Sequence, residues 1–141
     1  MMWNTHLAFG LFVALLFPFS WLFVLLVLVG SLLPDLDSSK SKFGRKVKII
    51  GWLFKHRGLL HSVLFGVGLF IILYFFGFGY LGLGLLVGIF SHLVADAFTK
   101  EGIRFFYPFK FKINGFIRTN GLIEKGLFVL LVVADVIMII I

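Results

Sequence analysis

Cysteine is absent from this chain of 141 residues, which excludes a disulfide framework, a thiolate metal site and a cysteine nucleophile. Any metal ion would therefore be held by nitrogen and oxygen ligands. Acidic residues are also scarce, since 6 Asp and Glu stand against 13 Lys and Arg and leave a formal net charge of +7. Taken alone, this positive balance is compatible with a nucleic acid or an anionic lipid as partner.

Long stretches lack charge altogether, and the composition is strongly apolar. Hydrophobic residues make up 61% of the chain, including 20 Phe, and the mean hydropathy is +1.13. An ordinary soluble domain is about 45–50% apolar, so the composition predicts a membrane protein. The length suits a single integral membrane domain over residues 1–141. The opening MMWNTH lacks the basic stretch of a secretory signal, so we expect the first segment to remain in the mature protein.

Four apolar runs predict the helices. The first run, Leu7–Leu33, carries no formal charge but is interrupted by FPFS at Phe17–Ser20, which predicts either one kinked helix or a short helical hairpin. The expected fold class is an all-α integral membrane protein. Gly84 and Gly88 have the spacing that lets neighbouring helices approach closely. Three further transmembrane helices are predicted from Leu59–Phe76, Leu81–Phe98 and Gly126–Ile141, with a tight turn at Gly77–Tyr80.

The positive charges indicate the orientation in the membrane. All 13 Lys and Arg lie in two segments, seven between Lys40 and Arg57 and six between Lys100 and Lys125. The turn that joins the second and third runs carries none, so an antiparallel pair of helices brings both basic segments to one side. Cytoplasmic segments carry an excess of Lys and Arg, which makes that side the cytoplasmic one. Topology thus accounts for the positive charge, and we expect no nucleic-acid partner.

On this topology the polar side chains fall at the cytoplasmic ends of the apolar runs and converge on one layer. His92 and Asp96 are four residues apart, which places them on the same face of a helix. Imidazole and carboxylate groups suit zinc, which is favoured, and also manganese or iron. We expect one to three ions. The candidate metal ligands are His6, Asp35, Asp37, His56, His61, His92 and Asp96.

Charged residues outside this ligand set are assigned to the chemistry. Arg57 lies between two candidate ligands in KHRGLLHS, and its guanidinium suits bidentate binding of a substrate phosphate, although a simple interfacial anchor is the alternative. Lys55 would draw the anionic substrate to the same place. Arg57 and Glu124 are the candidate catalytic residues beside a metal-activated water. The hydroxyls of Ser62, Ser91 and Thr99 either orient the ligands or lie on helix surfaces.

Purely structural roles stay open for several of these positions. His6 could be only a residue of the membrane interface, and Asp35 or Asp37 could simply terminate a helix after a turn. Glu124 could be a surface acid that the dipole favours at a helix N-terminus. Asp135 lies eleven residues beyond Glu124 and is too deep for the same layer on a straight helix. It could pair with a neighbouring chain or with a backbone group.

Six motifs spread along the chain occur in the order seen in a known family: TH at Thr5–His6, GSLLPDLD at Gly30–Asp37, HRGLLHS at His56–Ser62, GIFSHLVADAFTKEGI at Gly88–Ile103, YPF at Tyr107–Phe109, and Glu124. With them the chain is similar, over nearly its whole length, to the YdjM-type membrane-bound metal-dependent hydrolases, which implies a metal-dependent hydrolase in the membrane. The spacing of His92 and Asp96 is also similar to part of the metal site in zinc-dependent phospholipases C, which suggests a lipid phosphoester as substrate.

Functions of other classes remain compatible with the sequence. A non-catalytic protein that binds metal or lipid would keep the same ligands without an open coordination position. A metal transporter usually carries polar residues across the full depth of the membrane, whereas the expected layer lies at one face. Membrane lipids are the expected partners, and a homo-oligomer is compatible with the sequence.

Overall fold

The structure is a computed structural model that describes residues 1–37, 59–109 and 111–141, with only the backbone described for residues 36 and 37. Over these ranges the chain forms five α-helices and no β-strand, which confirms the all-helical fold predicted from the apolar runs. Two short 3₁₀ helices, Leu33–Asp37 and Leu59–His61, extend the end of the second helix and precede the third. The helices are α1 Trp3–Leu15, α2 Trp21–Leu32, α3 Val63–Phe75, α4 Gly79–Ala97 and α5 Leu122–Ile140.

The long uncharged run at the N-terminus forms two short helices, which is the hairpin alternative predicted from the FPFS interruption. Pro18 lies between them, where its missing N–H and fixed φ end the first helix. Ser20 then caps α2, because its side chain accepts a hydrogen bond from the backbone N–H of Phe23 at 3.5 Å. With 13 residues in α1 and 12 in α2, each arm is about 18–20 Å long at roughly 1.5 Å per residue.

The next two helices form the antiparallel pair predicted around the Gly77–Tyr80 turn. The chain reverses at Gly77, whose φ of +83° is a conformation that glycine adopts without strain. The turn is shorter than predicted, because α4 already begins at Gly79. At the other end, Ser62 caps α3 by accepting from the N–H of Phe65 at 3.3 Å. The helix α3, Val63–Phe75, is therefore shorter than the predicted run Leu59–Phe76.

Helix length and composition separate α4 from its neighbours. Among the described residues, α4 is the one helix that is long and apolar enough to cross a membrane. The helices α1, α2 and α3 are apolar but shorter, and α5 contains Glu124, Lys125 and Asp135. Large apolar side chains such as Trp21 and Phe75 are 78% and 83% exposed, as expected of a surface that faces lipid. Spanning by α3 and α5 stays a prediction.

Glycines bring α2 and α4 into close contact. A methyl group on Gly30 would collide with the backbone carbonyl of Leu85, and one on Gly88 would collide with that of Val27. A methyl group on Gly84 would lie 2.6 Å from the Cβ of Leu26, so the pair of glycines singled out in the sequence faces α2. Since α4 also contacts α1 and α3, it is the central helix of the bundle.

Five helix ends meet at one end of the bundle. The helices α1, α3 and α5 begin there, and α2 and α4 end there. Asp96 contacts the chain start, Met2 contacts α5, His92 contacts Ser31 at the end of α2, and the 3₁₀ helix before α3 contacts the one after α2. The connection between α4 and α5 folds over this end through backbone hydrogen bonds, among them Lys100 N–H to the Ile117 carbonyl at 2.9 Å and Ile103 N–H to the Ile113 carbonyl at 2.8 Å. Polar side chains near these ends therefore share one layer.

The helix contact through Gly88 predicts a stability effect. Gly88→Ala should destabilise the protein by about 1–3 kcal/mol, because the backbone of α2 has to move away to admit a methyl group. The matched control is Gly68→Ala, since nothing lies within 4 Å of a Cβ at that position and alanine is the better helix former. Thermal unfolding in detergent measures both. Equal melting temperatures for the two variants would contradict the close packing.

Candidate metal centre

Two histidine rings lie face to face at the polar end of the bundle. His6 is in α1 and His92 is near the end of α4. Their ring centroids are 3.8 Å apart and their planes differ by 13°. Both residues are fully buried, with 1% and 0% of their surface exposed. Burying imidazoles among apolar helices costs free energy unless their nitrogens find partners, so the arrangement requires an explanation.

The orientation of His92 is set by the main chain of α2. Its Nδ1 lies 2.7 Å from the carbonyl oxygen of Ser31. A carbonyl can only accept, so Nδ1 carries the proton and Nε2 keeps its lone pair. Nε2 is buried without a hydrogen-bond partner among the described residues and lies 3.7 Å from Oδ2 of Asp96. A histidine that donates one N–H to a carbonyl and presents the other nitrogen unprotonated is arranged as metal-binding histidines are.

Asp96 supplies the carboxylate of this cluster. Its Oδ1 accepts a hydrogen bond from the amino group of Met1 at 2.6 Å and lies 3.4 Å from Nε2 of His6. The hydroxyl of Thr99 donates to the backbone carbonyl of Asp96 at 2.7 Å and accepts from the N–H of Gly102 at 3.2 Å. These bonds hold the end of α4 in place, with the side chain directed inward and 3% of the residue exposed.

His61 and Asp35 complete the cluster from the two 3₁₀ helices. The ring of His61 lies edge-on to that of His92, with centroids 5.3 Å apart. Burial raises the pKa of the Asp35 carboxyl above its ordinary value, while the nearby imidazoles of His6 and His61 oppose that change. Both residues reach the site because helix ends from distant parts of the sequence meet here.

The five side chains form two groups with ligand atoms close enough to share a metal ion. His6, Asp35 and His92 make one group, and His61, His92 and Asp96 make the other. Within each group, one ligand atom per residue lies within 4.8 Å of the others. His92 belongs to both groups, so the two candidate positions adjoin each other.

The residues present fit a divalent metal. Nδ1 of His6 and Nε2 of His92 are buried and have no hydrogen-bond partner within the described parts of the chain, and the contact of Nε2 of His6 is with Oδ1 of Asp96 at 3.4 Å. An unsatisfied buried atom costs about 1–3 kcal/mol, and coordination would satisfy the one nitrogen of each neutral imidazole that has a lone pair. Imidazole and carboxylate together suit zinc and also iron or manganese. The chain can thus hold a divalent metal, and the geometry by itself does not select among these elements.

Glu124, a predicted catalytic residue, is in neither group. Its Oε1 accepts from the backbone N–H of Met2 at 2.6 Å, and its Oε2 accepts from that of Asn120 at 2.5 Å. Asn120 has a left-handed φ of +62°, and the bond back from the first turn of α5 resembles a capping box. The carboxylate therefore joins the start of α5 to the start of α1, and its catalytic role stays a prediction.

Other predicted site residues lie outside what the structure describes. Lys55, His56 and Arg57 belong to residues 38–58, and the side chain of Asp37 is likewise not described. Asp37 and His56 as metal ligands stay a prediction from the sequence. Lys55 and Arg57 as phosphate-binding residues do too.

The hydroxyls predicted to orient the ligands have another function. Ser62, Ser91 and Thr99 donate to the backbone carbonyls of Leu59, Gly88 and Asp96. Each hydroxyl has one proton, so none of the three donates to a ligand side chain. Sequence reasoning missed the carbonyl of Ser31 as the partner of His92, because every residue has a main-chain carbonyl whatever its type.

Small residues make room directly beneath the cluster. A methyl group on Gly10 would lie 3.1 Å from the Cβ of Ser31 and 3.7 Å from the hydroxyl of Ser91. These residues belong to α1, α2 and α4, so the three helices meet here with almost no side-chain volume between them. This close approach lets His6 and His92 stack.

Asp135 lies apart from the cluster, as predicted. It is on α5, eleven residues beyond Glu124, or about 16 Å along the axis at roughly 1.5 Å per residue. The residue is 4% exposed, and its Oδ1 has no hydrogen-bond partner among the described residues. It is in neither of the two ligand groups.

Comparison with known proteins places the chain beside one family and one curated relative. The profile of the family described as "YdjM inner membrane protein" matches residues 1–140. The protein named "Uncharacterized protein YvsG" of Bacillus subtilis (strain 168) is 35% identical over 95 residues, which cover 61% of this chain and 57% of the relative. The match therefore spans little more than half the length of that relative. No solved structure matches.

The two ligand groups predict that the purified protein contains metal. We expect near-stoichiometric zinc, manganese or iron by ICP-MS on detergent-purified protein, and its loss in the double variant His92→Ala, Asp96→Ala. Glu101→Gln is the matched control, because it removes an acid that is in neither group. Folded wild type that contained no metal, and took none up from added zinc or manganese, would exclude the site.

The contacts of Glu124 predict a loss of stability when Glu124 is substituted, and the metal content of the variant shows whether Glu124 is also a ligand. Glu124→Gln should lower the free energy of unfolding by about 1–3 kcal/mol, because one of two backbone N–H groups would face an amide NH₂. Metal content should be unchanged. Thermal unfolding and ICP-MS on the same preparation measure the two quantities. A folded variant with as little metal as the double variant would instead make Glu124 a ligand.

Proposed function

The chain belongs to the YdjM inner membrane protein family, and from this premise we propose that it is a membrane-embedded, metal-dependent hydrolase acting on a phosphoester, with a lipid headgroup as the favoured substrate. The observation that carries the proposal is the state of His92. Its Nδ1 is committed to the Ser31 carbonyl, while its buried Nε2 points at Asp96 without a hydrogen bond. A buried lone pair among four further ligand-type side chains suits a cation.

The ligands in this proposal are the five clustered side chains, with zinc favoured and manganese or iron as alternatives. A divalent metal bound there supplies a Lewis acid that lowers the pKa of water and polarises a phosphoryl oxygen. Since the two groups adjoin through His92, the cluster is compatible with a pair of ions, an arrangement common in enzymes that cleave phosphoesters. The ligands are His6, Asp35, His61, His92 and Asp96.

The protein's own groups would orient the ligands and the substrate. The Ser31 carbonyl holds the His92 ring in one tautomer, and the carboxylate of Asp96 lies within reach of both His6 and His92. From the sequence, Arg57 is assigned to the substrate phosphate and Lys55 to attraction of the anionic group. Their segment connects the end of α2 to the start of α3, and both of these ends contribute ligands to the cluster.

The proposed site faces the cytoplasm at the level of lipid headgroups. The ends of α2 and α4 and the starts of α3 and α5 lie at the polar end of the bundle, and in the sequence the first basic segment follows α2 and the second follows α4. The excess of Lys and Arg on cytoplasmic segments assigns that end to the cytoplasm. A phosphate in the headgroup layer would then be at the depth of the cluster, which favours a lipid phosphoester over a soluble one.

A transporter is the less favoured alternative. Substrate pathways across a membrane need polar groups along the full depth, and the clustered ligands lie at one end. Asp135 is buried farther along α5, but a single carboxylate does not make a pathway. A non-catalytic metal-binding protein would share the cluster, so activity has to be measured directly.

Hydrolysis by the metal-loaded protein is the decisive measurement. We expect release of product from phosphomonoester, phosphodiester or phospholipid substrates, and a loss of more than about 100-fold in the double variant His92→Ala, Asp96→Ala, because removing ligands costs more than the roughly 10–100-fold seen for residues around them. Glu101→Gln, with unchanged metal content, is again the control. A protein that binds stoichiometric metal but cleaves none of these substrates would be a metal-binding protein without this activity.

A further inference from the structure

The connection between α4 and α5 contains a loop that is fixed to the polar end of the bundle at its base. Ile103 and Ile113 exchange two backbone hydrogen bonds, of 2.8 and 2.9 Å, which close the loop between them. Ile103 is 1% exposed and belongs to the apolar core. The carbonyl of Phe105 accepts a hydrogen bond of 2.8 Å from the N–H of Val63, the first residue of α3. The rest of the loop, residues 104–109 and 111–112, is called the tip.

The tip exposes aromatic rings and cations together. Phe106, Phe109 and Phe111 are 51%, 70% and 65% exposed, and exposed apolar groups that lie this close together mark a surface that binds a membrane or another molecule. Arg104 and Lys112, near the two ends of the tip, are also exposed and have no ion-pair partner among the described residues. The tip contains no acid, so its partner has to accept both apolar rings and positive charge.

The position of the tip favours a membrane over an acidic protein as this partner. The tip is bonded to Val63, which is followed on α3 by Leu64, a residue that is 50% exposed on the apolar outer surface of the bundle. Val63 also follows His61, at the polar end, by two residues. The tip therefore lies where the apolar surface of α3 ends and the polar layer begins. An acidic protein would pair with the cations, whereas the headgroup layer of a membrane accepts cations and rings at the same depth.

We propose that the tip binds anionic phospholipids at the membrane interface. Phe106, Phe109 and Phe111 insert between the lipids, and Arg104 and Lys112 bind the headgroup phosphates. Cations next to an anionic leaflet are attracted to it, and a guanidinium binds phosphate through two hydrogen bonds. This binding needs neither a metal ion nor hydrolysis and goes beyond the proposed function. A protein that binds lipid in this way but cleaves no phosphoester would keep the lipid-binding tip and refute the hydrolase.

Two double variants with the same net charge test the preference for anionic lipid. Arg104→Gln, Lys112→Gln removes two cations of the tip, whereas the matched control Lys100→Gln, Arg118→Gln removes two exposed cations of the same connection outside the tip. Native mass spectrometry of the detergent-purified chain, titrated with dipalmitoyl phosphatidylglycerol, measures the affinity. The tip variant should bind at least about tenfold more weakly than the control, since each cation near an anionic surface contributes about fivefold. Dipalmitoyl phosphatidylcholine should not distinguish the two variants. Equal affinities of the two folded variants for phosphatidylglycerol would refute the proposal, because net charge alone would then explain the binding.

A single label tests whether the rings enter the membrane. Because the chain has no cysteine, Phe109→Cys can carry the fluorophore NBD as its one label, and Phe111→Cys replaces it should that variant not fold. In nanodiscs of equal parts phosphatidylcholine and phosphatidylglycerol, a phospholipid that is spin-labelled near its headgroup should quench the fluorescence, and iodide in the buffer should not. Quenching by iodide without quenching by the lipid would place the tip in water and refute its insertion, leaving an acidic protein as the partner that its charge suits.

Discussion

The hydrogen bond between Nδ1 of His92 and the carbonyl of Ser31 is the interaction on which the site depends. It exists because α2 and α4 touch at backbone distance, where Gly30 and Gly88 leave no room for a side chain. A larger residue at either glycine would separate the carbonyl from the ring. The bond decides the tautomer, and the tautomer decides that Nε2 presents a lone pair to Asp96. The packing of α2 against α4 therefore also determines which nitrogen of His92 has the lone pair.

The same closeness explains how so many polar groups are buried in a small apolar bundle. The helices alternate in direction, so five of their ends and the two 3₁₀ helices gather at one end. Small residues beneath the cluster let three helices converge, and the two imidazoles stack and are buried there. Large apolar side chains face outward instead, as the lipid environment of the family requires.

Much of this organisation was predictable from residue patterns. The uncharged runs predicted the helices, FPFS predicted the break near Pro18, and the four-residue spacing of His92 and Asp96 predicted a shared helix face. Boundaries were less accurate, because the run that opens at Leu59 begins as a 3₁₀ turn before Ser62 caps the helix. The contacts of Glu124 were not predictable, since its partners are backbone N–H groups of Met2 and Asn120.

The sequence by itself determined the apolar, cysteine-free composition, the helices and the placement of the polar residues at their ends, and thereby which imidazoles and carboxylates are candidate metal ligands. These properties depend on residue type and on spacing within one helix, which a linear pattern contains. Only the tertiary structure decided which of those residues meet and that His92 is in both candidate ligand groups. These depend on main-chain atoms and on distances between helices far apart in sequence, which no single segment specifies.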